Sequence, residues 1–262
     1  MVLAPLPCIV GLDRDETEPI RRRYGGPLIC HASLPKIVVR NERLFVESQS
    51  GARMLPVSKV IYHGIFEDDH DFIAGLALWG GQCLPDAVAM MDCRLKLPCL
   101  VRSLKLSAFV DPPRGYASPG THYATDVVSV AKWGNWHCGE NKRRFESSHT
   151  ADQPTIIEPF IEGEAVRIVV MDDREWQIRL AGNGWLKSIH HDDAAFETPE
   201  PRLVEDTRNV GRGFGLRLLA NDYIVDIEGR PHLLEVNHVP NVVRFGEIWD
   251  AYVEWVVEFL NR

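Results

Sequence analysis

Through the first eighty residues, apolar positions come in short blocks whose spacing switches between two and about 3.6 residues. Residues 8–11 form an apolar run of strand length. Residues 16–24 carry acids first and bases last, the order that suits a helix dipole, and Gly25-Gly26 ends the pattern. Positions 37–40 and 44–47 alternate around Asn41-Glu42-Arg43, as a hairpin does. A strand over 59–63 follows, then a helix over 71–79 stopped by Gly80-Gly81. No G-x-G-x-x-G follows the first strand, so this βαβ-like stretch does not read as a dinucleotide site.

Residues 86–106 are helical in period and basic, carrying Arg94, Lys96, Arg102 and Lys105, and Pro112-Pro113 closes the segment. The pattern then predicts a strand over 126–132, a glycine-containing loop over 133–141, a basic cluster at Lys142-Arg143-Arg144, and strands over 155–158, 166–171 and 176–180. Gly211, Gly213 and Gly215 fit neither a P-loop nor a dinucleotide fingerprint and read as a flexible connection to a strand over 216–220. Strands over 223–226 and 232–236 flank the turn Glu228-Gly229-Arg230-Pro231. The C-terminal helix gathers Ile248, Tyr252, Trp255, Val256 and Phe259 on one face, with Glu247, Asp250, Glu254 and Glu258 opposite. The chain reads as α/β, in one large domain or two small ones, without internal repeats.

Composition narrows the function classes. The 262 residues include 29 Lys+Arg and 37 Asp+Glu, a net charge of −8 with no basic tail, which argues against a protein built to wrap a phosphate backbone. No apolar run approaches the roughly 20 residues that span a bilayer, and the first residues lack a signal peptide's basic start and apolar stretch. The expectation is a soluble, cytoplasmic protein that binds neither membrane nor nucleic acid. Six cysteines without a C-x-x-C pair argue against structural zinc and a disulfide framework. The basic residues comprise 22 Arg and only seven Lys, so each apolar-flanked lysine draws notice.

The chemically richest segment is NDYIVDIEGRPHLLEVNHVPN. Glu235 and Asn237 share a face of one strand, and a tight hairpin brings Asp222 opposite them. Three hard oxygen donors suit Mg²⁺ when phosphate oxygens and water fill its other positions; the alternative is that they are polar residues of a sheet edge. Asp226, nearer the turn, would shape that turn. His190, His191, Asp192 and Asp193 are consecutive and point in different directions, as in a solvated loop.

The hairpin resembles the C-terminal metal-binding element of the ATP-grasp superfamily, whose members include D-alanine:D-alanine ligase, glutathione synthetase and ligases that add amino acids to peptide tails. VVSVAKWGNWHCGENK resembles the strand and glycine loop that meet the ATP phosphates, TIIEPFIEGEAVRIVV the adenine-binding hinge strand, and VAMMDCRLKLPCLVRSLKLSAFVDPP the helix and turn that open the grasp. The resemblance spans residues 86–262, with a lid about 95–155 and a metal-binding part about 156–262. Residues 1–85 would be the small α/β domain that precedes the grasp.

The resemblance implies ATP and two Mg²⁺ ions, or Mn²⁺, with Asp222, Glu235 and Asn237 as metal ligands. It places Lys132 on the phosphates, Glu164 on the ribose, and Glu158, Phe160, Ile161 and Leu234 around the adenine. The family's usual D-K pair is Asp92-Cys93 here, which leaves Lys96 as the second nucleotide lysine by proximity. The arginine that often stands two residues before the first metal ligand is Ala220, so Lys187, together with Arg167, would stabilise the transferring phosphoryl group. Arg244 would face the acceptor or solvent. The implied reaction is carboxylate–amine ligation through an acyl-phosphate, on a small metabolite or a peptide, in an enzyme that is commonly dimeric. Rival readings are an ATP-grasp phosphotransferase and a nucleotide-binding regulator without catalysis.

Overall fold

The structure, a computed structural model, describes residues 4–64, 66–134 and 141–262. Trp136, His137, Cys138 and Gly139 of the expected glycine loop lie outside the described residues. The chain forms two compact units: Met1–Asp92 with Phe214–Leu218 and His238–Arg262, and Cys93–Gly213 with Leu219–Asn237. The fold is α/β, as expected.

The first unit holds β1 (Leu6–Val10), α1 (Arg14–Tyr24), β2 (Ile29–His31), β3 (Ile37–Arg40), β4 (Arg43–Glu47), β5 (Met54–Tyr62), α2 (Asp69–Trp79), β6 (Gln82–Leu84) and most of α3 (Ala87–Arg94). Its sheet runs β2-β1-β5-β4-β3, with β6 beside β5. The strand pairs β1–β2, β1–β5 and β5–β6 are parallel, whereas β3–β4 and β4–β5 are antiparallel. A capping box starts α1: the Asp13 carboxylate accepts from the Glu16 N–H, and Glu16 accepts from the Asp13 N–H, both at 2.8 Å. Left-handed Gly25 ends it. Val10, Leu44, Val60, Tyr62, Ile73, Leu76 and Met90 build the core.

The second unit contains α4 (Lys96–Leu106), β7 (Gly115–Ala117), β8 (His122–Ala124), β9 (Ser129–Trp133), β10 (Lys142–Phe145), β11 (Ser148–Thr150), β12 (Thr155–Pro159), β13 (Gly163–Met171), β14 (Arg174–Arg179), β15 (Ala195–Glu197), most of α5 (Pro201–Phe214), nearly all of β16 (Leu218–Asp226) and β17 (Pro231–Asn237). Its sheets are β10-β9-β12-β7, β11-β8 and β15-β14-β13-β16-β17.

Two readings of the sequence are corrected. Residues 86–106 are two helices, because Leu95 is extended and the chain restarts as a helix at Lys96. Pro98 thereby falls in the first turn of α4, where a missing N–H breaks no helical bond. The glycines of VGRGFG are not a flexible connection. Gly211 and Gly213 lie inside α5, and only Gly215, at φ +76°, terminates it. Leu203, Thr207, Val210 and Phe214 are buried along one stripe of that helix, and the polar Asp206 and Thr207 within it obscure the period. Gly213 admits Leu106, whose Cδ1 would lie 2.5 Å from an added Cβ.

The C-terminal helix α6 (Gly246–Asn261) falls in the first unit, whereas the sequence groups it with residues 86–262. It packs against α1 and buries Ile248, Tyr252, Trp255 and Val256. Lys59 donates to the Phe259 carbonyl at 2.9 Å at its C-terminus, where a cation is favoured. Among the described residues, no helix is long and apolar enough to cross a membrane.

Candidate active site

Antiparallel register gathers four charged side chains of β9, β10 and β12 on one face. In β9 and β12, Lys132 stands opposite Ile156 and Val130 opposite Glu158; in β10, Lys142 stands opposite Lys132 and Arg144 opposite Val130. Alternation therefore gives Lys132, Lys142, Arg144 and Glu158 a common face.

Glu158 is 4% exposed and paired on both oxygens. Its Oε1 meets the Lys132 ammonium, and its Oε2 accepts from Arg114 Nε at 3.1 Å. Arg114 also pairs with Asp111 and donates to the Leu233 carbonyl at 2.8 Å, which ties this carboxylate to β17. Burial alone would raise the Glu158 pKa, but Lys132 and Arg114 outweigh it and hold the carboxyl below its ordinary value.

Across the hairpin, Asp222 pairs in register with Glu235 and Ala220 with Asn237, and a bulge separates Asp222 from Tyr223. The two residues flanking Asp222 are buried. Asn221 donates to the Tyr223 hydroxyl at 2.9 Å, and Tyr223 donates to Asp206 of α5 at 2.8 Å. Asp206 also accepts from Ser107 and from the Ala108 N–H at the end of α4, at 3.0 and 2.6 Å. One buried carboxylate thus fixes both the strand that carries Asp222 and the helix that starts at Lys96.

Arg167 of β13 grips Asp222 with two parallel bonds of 2.6 and 2.7 Å. Lys96 lies 3.1 Å from Glu235 Oε1, and Lys142 lies 3.5 Å from Glu235 Oε2. Burial lowers the Lys96 pKa, opposed by Glu235 and reinforced by Lys142 and Lys132. Asn237 is buried, with its amide nitrogen 3.5 Å from Asp222 Oδ2. Asp226 accepts from the Glu228 and Arg230 N–H groups, both at 2.9 Å, and so shapes the turn.

These groups surround a cavity of 310 Å³ to which Lys132, Lys142, Glu158, Phe160, Ile161, Lys187, Asp222, Leu234 and Glu235 contribute. Phe160 meets the edge of Trp185 at 6.3 Å, and the Arg144 guanidinium lies 4.2 Å over its ring. The Phe160 N–H is taken by the Val128 carbonyl at 2.8 Å. Lys187 sits on the exposed turn between Ala181 and Ser188, its ammonium 2.9 Å from the Gly182 carbonyl. Lys96 lines an adjoining cavity that shares Lys132, Lys142, Leu234 and Glu235. Glu164 is exposed and lies off the wall of the larger cavity, whereas Glu162 lines it. His190 is exposed, and His191 bonds Asn183 at 3.2 Å within its own loop.

Among the described residues, no three His, Cys, Asp or Glu side chains gather as a metal cluster. The hairpin supplies two carboxylates and an amide at adjoining register positions, an oxygen-donor set that suits Mg²⁺ with several positions left for phosphate and water. Lys142 and Arg114 had no assigned role in the sequence. Alternation of 142–145 as a strand reveals Lys142, whereas Arg114 reaches Glu158 across 44 positions with no local signal.

No family model matches the chain. The chain is 26% identical over 171 residues to a D-alanine–D-alanine ligase of an Azoarcus species, covering 59% of this chain and about half of that protein's length. The fold matches, over 100% of both chains, the ATP-grasp ligase PsnB complexed with a minimal precursor, Mg and ADP (12% identity, TM-score 0.65). It also matches D-alanyl-alanine synthetase A of Vibrio cholerae (11%, TM-score 0.69, 99% and 98% of the chains) and the macrocyclase MdnC of Microcystis aeruginosa bound with its precursor peptide MdnA (14%, TM-score 0.64, 97% and 99%).

Proposed function

We propose that this chain, which has the ATP-grasp fold, is an ATP- and Mg²⁺-dependent carboxylate–amine ligase acting on a small-molecule or peptide carboxylate. One observation carries the reading: Lys96, Lys132 and Lys142 interleave with Glu158, Asp222 and Glu235 around two adjoining cavities. Cations that can neutralise a polyphosphate thus stand beside oxygen donors that can hold its metal ion.

In this reading Asp222, Glu235 and Asn237 hold magnesium, while Lys96, Lys132 and Lys142 meet the phosphates. Phe160, Ile161 and Leu234 pack the purine, with Glu158 holding Lys132 in place on the cavity wall. Glu162, on the cavity wall, is better placed for the ribose than Glu164. The bound metal supplies charge neutralisation on the phosphoryl oxygens. Arg167 orients Asp222, and Lys187 reaches the transferring phosphoryl from the turn. The substrate carboxylate attacks the γ-phosphorus, giving an acyl-phosphate and ADP. The amine then attacks the acyl carbon, phosphate leaves, and the amine loses its proton. No side-chain nucleophile is needed, so the residues act by positioning and electrostatics.

The test is ADP release from ATP and Mg²⁺ across a panel of carboxylates paired with amines, including peptides with acidic side chains. Ligation requires ADP and phosphate only when both partners are supplied. A stable phosphorylated product formed without amine would instead identify a phosphotransferase.

A further inference from the structure

Lys142 and Lys132 are direct cross-strand partners in β10 and β9. Like charges opposite one another in a sheet are unfavourable unless anions separate their demands. Here the two opposed ammoniums meet different carboxylates: Lys132 takes Glu158, and Lys142 shares Glu235 with Lys96. The three side chains of the second group are enclosed, at 20% exposure for Lys96, 19% for Lys142 and 17% for Glu235. A divalent cation on Glu235 must displace at least one of these ammoniums and then stands beside it as a like charge. A polyphosphate offsets that cost, because the displaced ammonium gains a new partner.

We propose that Lys142 makes nucleotide and divalent-ion binding mutually dependent, pairing with Glu235 in the absence of nucleotide and transferring its ammonium to phosphate when metal and nucleotide enter together. This rests on the ATP-site reading above and extends it to the order of binding: Mg²⁺ alone is disfavoured, and ADP or ATP recruits it. Lys142 acts here as an electrostatic gate on Glu235, in addition to contacting phosphate.

The experiment measures Mg²⁺ and ADP affinities, each with and without the other, by calorimetry on the full chain. The variants are Lys142→Met and Lys142→Arg, with folding checked by circular dichroism. Loss of one enclosed ion pair should tighten Mg²⁺ binding without nucleotide by about tenfold in Lys142→Met, and loss of a phosphate contact should weaken ADP binding in saturating Mg²⁺ by about tenfold, each corresponding to about 1.4 kcal/mol. Lys142→Arg keeps the charge and should retain the wild-type coupling. Folded Lys142→Met with unchanged or weaker metal-only binding overturns the gate while the ATP-site reading stands. A wild-type chain that binds no ADP at any Mg²⁺ concentration overturns both.

Discussion

The Arg167 guanidinium holds Asp222 by two parallel bonds, Nε to Oδ1 at 2.6 Å and Nη2 to Oδ2 at 2.7 Å. A planar fork on a carboxylate fixes its plane as well as its position, which a point charge cannot do. Asp222 also stands in register with Glu235, so the orientation of one proposed metal ligand is set by a cation from the neighbouring strand.

Arg167→Ala should therefore lower Mg²⁺-dependent ADP formation by about 100-fold, the scale seen when one preorganised electrostatic group is removed. Arg167→Lys, which keeps charge but loses the fork, should fall between that variant and wild type. Steady-state rates over a Mg²⁺ series are the check. Wild-type turnover in Arg167→Ala would mean that Asp222 needs no clamp.

Glu158 is the buried counter-charge of both Lys132 and Arg114. Removing one partner of a buried ion pair strands the others, at a cost of about 3–5 kcal/mol. Glu158→Gln should destabilise the fold on that scale at pH 7 and weaken ADP binding through a misplaced Lys132. Its folded pKa lies below the ordinary 4.5, so the stabilisation is complete above that value and fades as pH falls through the depressed one. Urea unfolding at pH 7 and pH 4 should show the gap between wild type and variant narrowing in acid. A gap that is constant with pH would assign the cost to packing.

Two glycines separate backbone strain from close packing. Gly229 has φ +77° with open space around a would-be Cβ, so Gly229→Ala should cost about 1 kcal/mol from conformation alone. Gly11 has φ +98°, and an added Cβ would lie 2.4 Å from the His63 carbonyl oxygen. Gly11→Ala should cost at least about 3 kcal/mol, since a rigid backbone clash adds to the strain. Thermal denaturation of the pair tests the ranking, and equal melting temperatures would contradict it.

Local pattern made much of the fold readable and failed where a long-range partner decides. Asp222, Glu235 and Asn237 were legible because a hairpin converts sequence spacing into register, and Lys132 because it ends an apolar strand. Helix α5 was hidden because Asp206 and Thr207 occupy its buried stripe, where their partners are Ser107, Ala108 and Tyr223 rather than residues of the helix. Lys142 was hidden because three consecutive cations read only as a basic cluster until β10 pairs with β9 and sorts them onto two faces. Burying a carboxylate among apolar strands is costly unless it is paired, and that cost falls on Glu158, which is buried and doubly paired, while Glu164 is exposed.

His63 offers a further pH test, in the first unit. Its ring lies against Tyr252 of α6, tilted by 52° with centroids 4.8 Å apart, and it is 9% exposed just after β5. Burial drives its pKa from the ordinary 6.5 down to about 4. The fold therefore favours the neutral ring, whereas the unfolded chain takes up a proton below pH 6.5. The sign follows: stability is unaffected by this group above pH 6.5, falls as pH drops toward 4, and levels off below that, because both states are then protonated. The total loss from a shift of this size is roughly 3 kcal/mol. In His63→Phe, which keeps an aromatic ring against Tyr252, that slope between pH 6.5 and 4 should disappear while other acid-sensitive groups still act. Denaturant unfolding of both proteins at half-unit pH steps measures the difference directly, and parallel curves across the window would remove His63 as their cause.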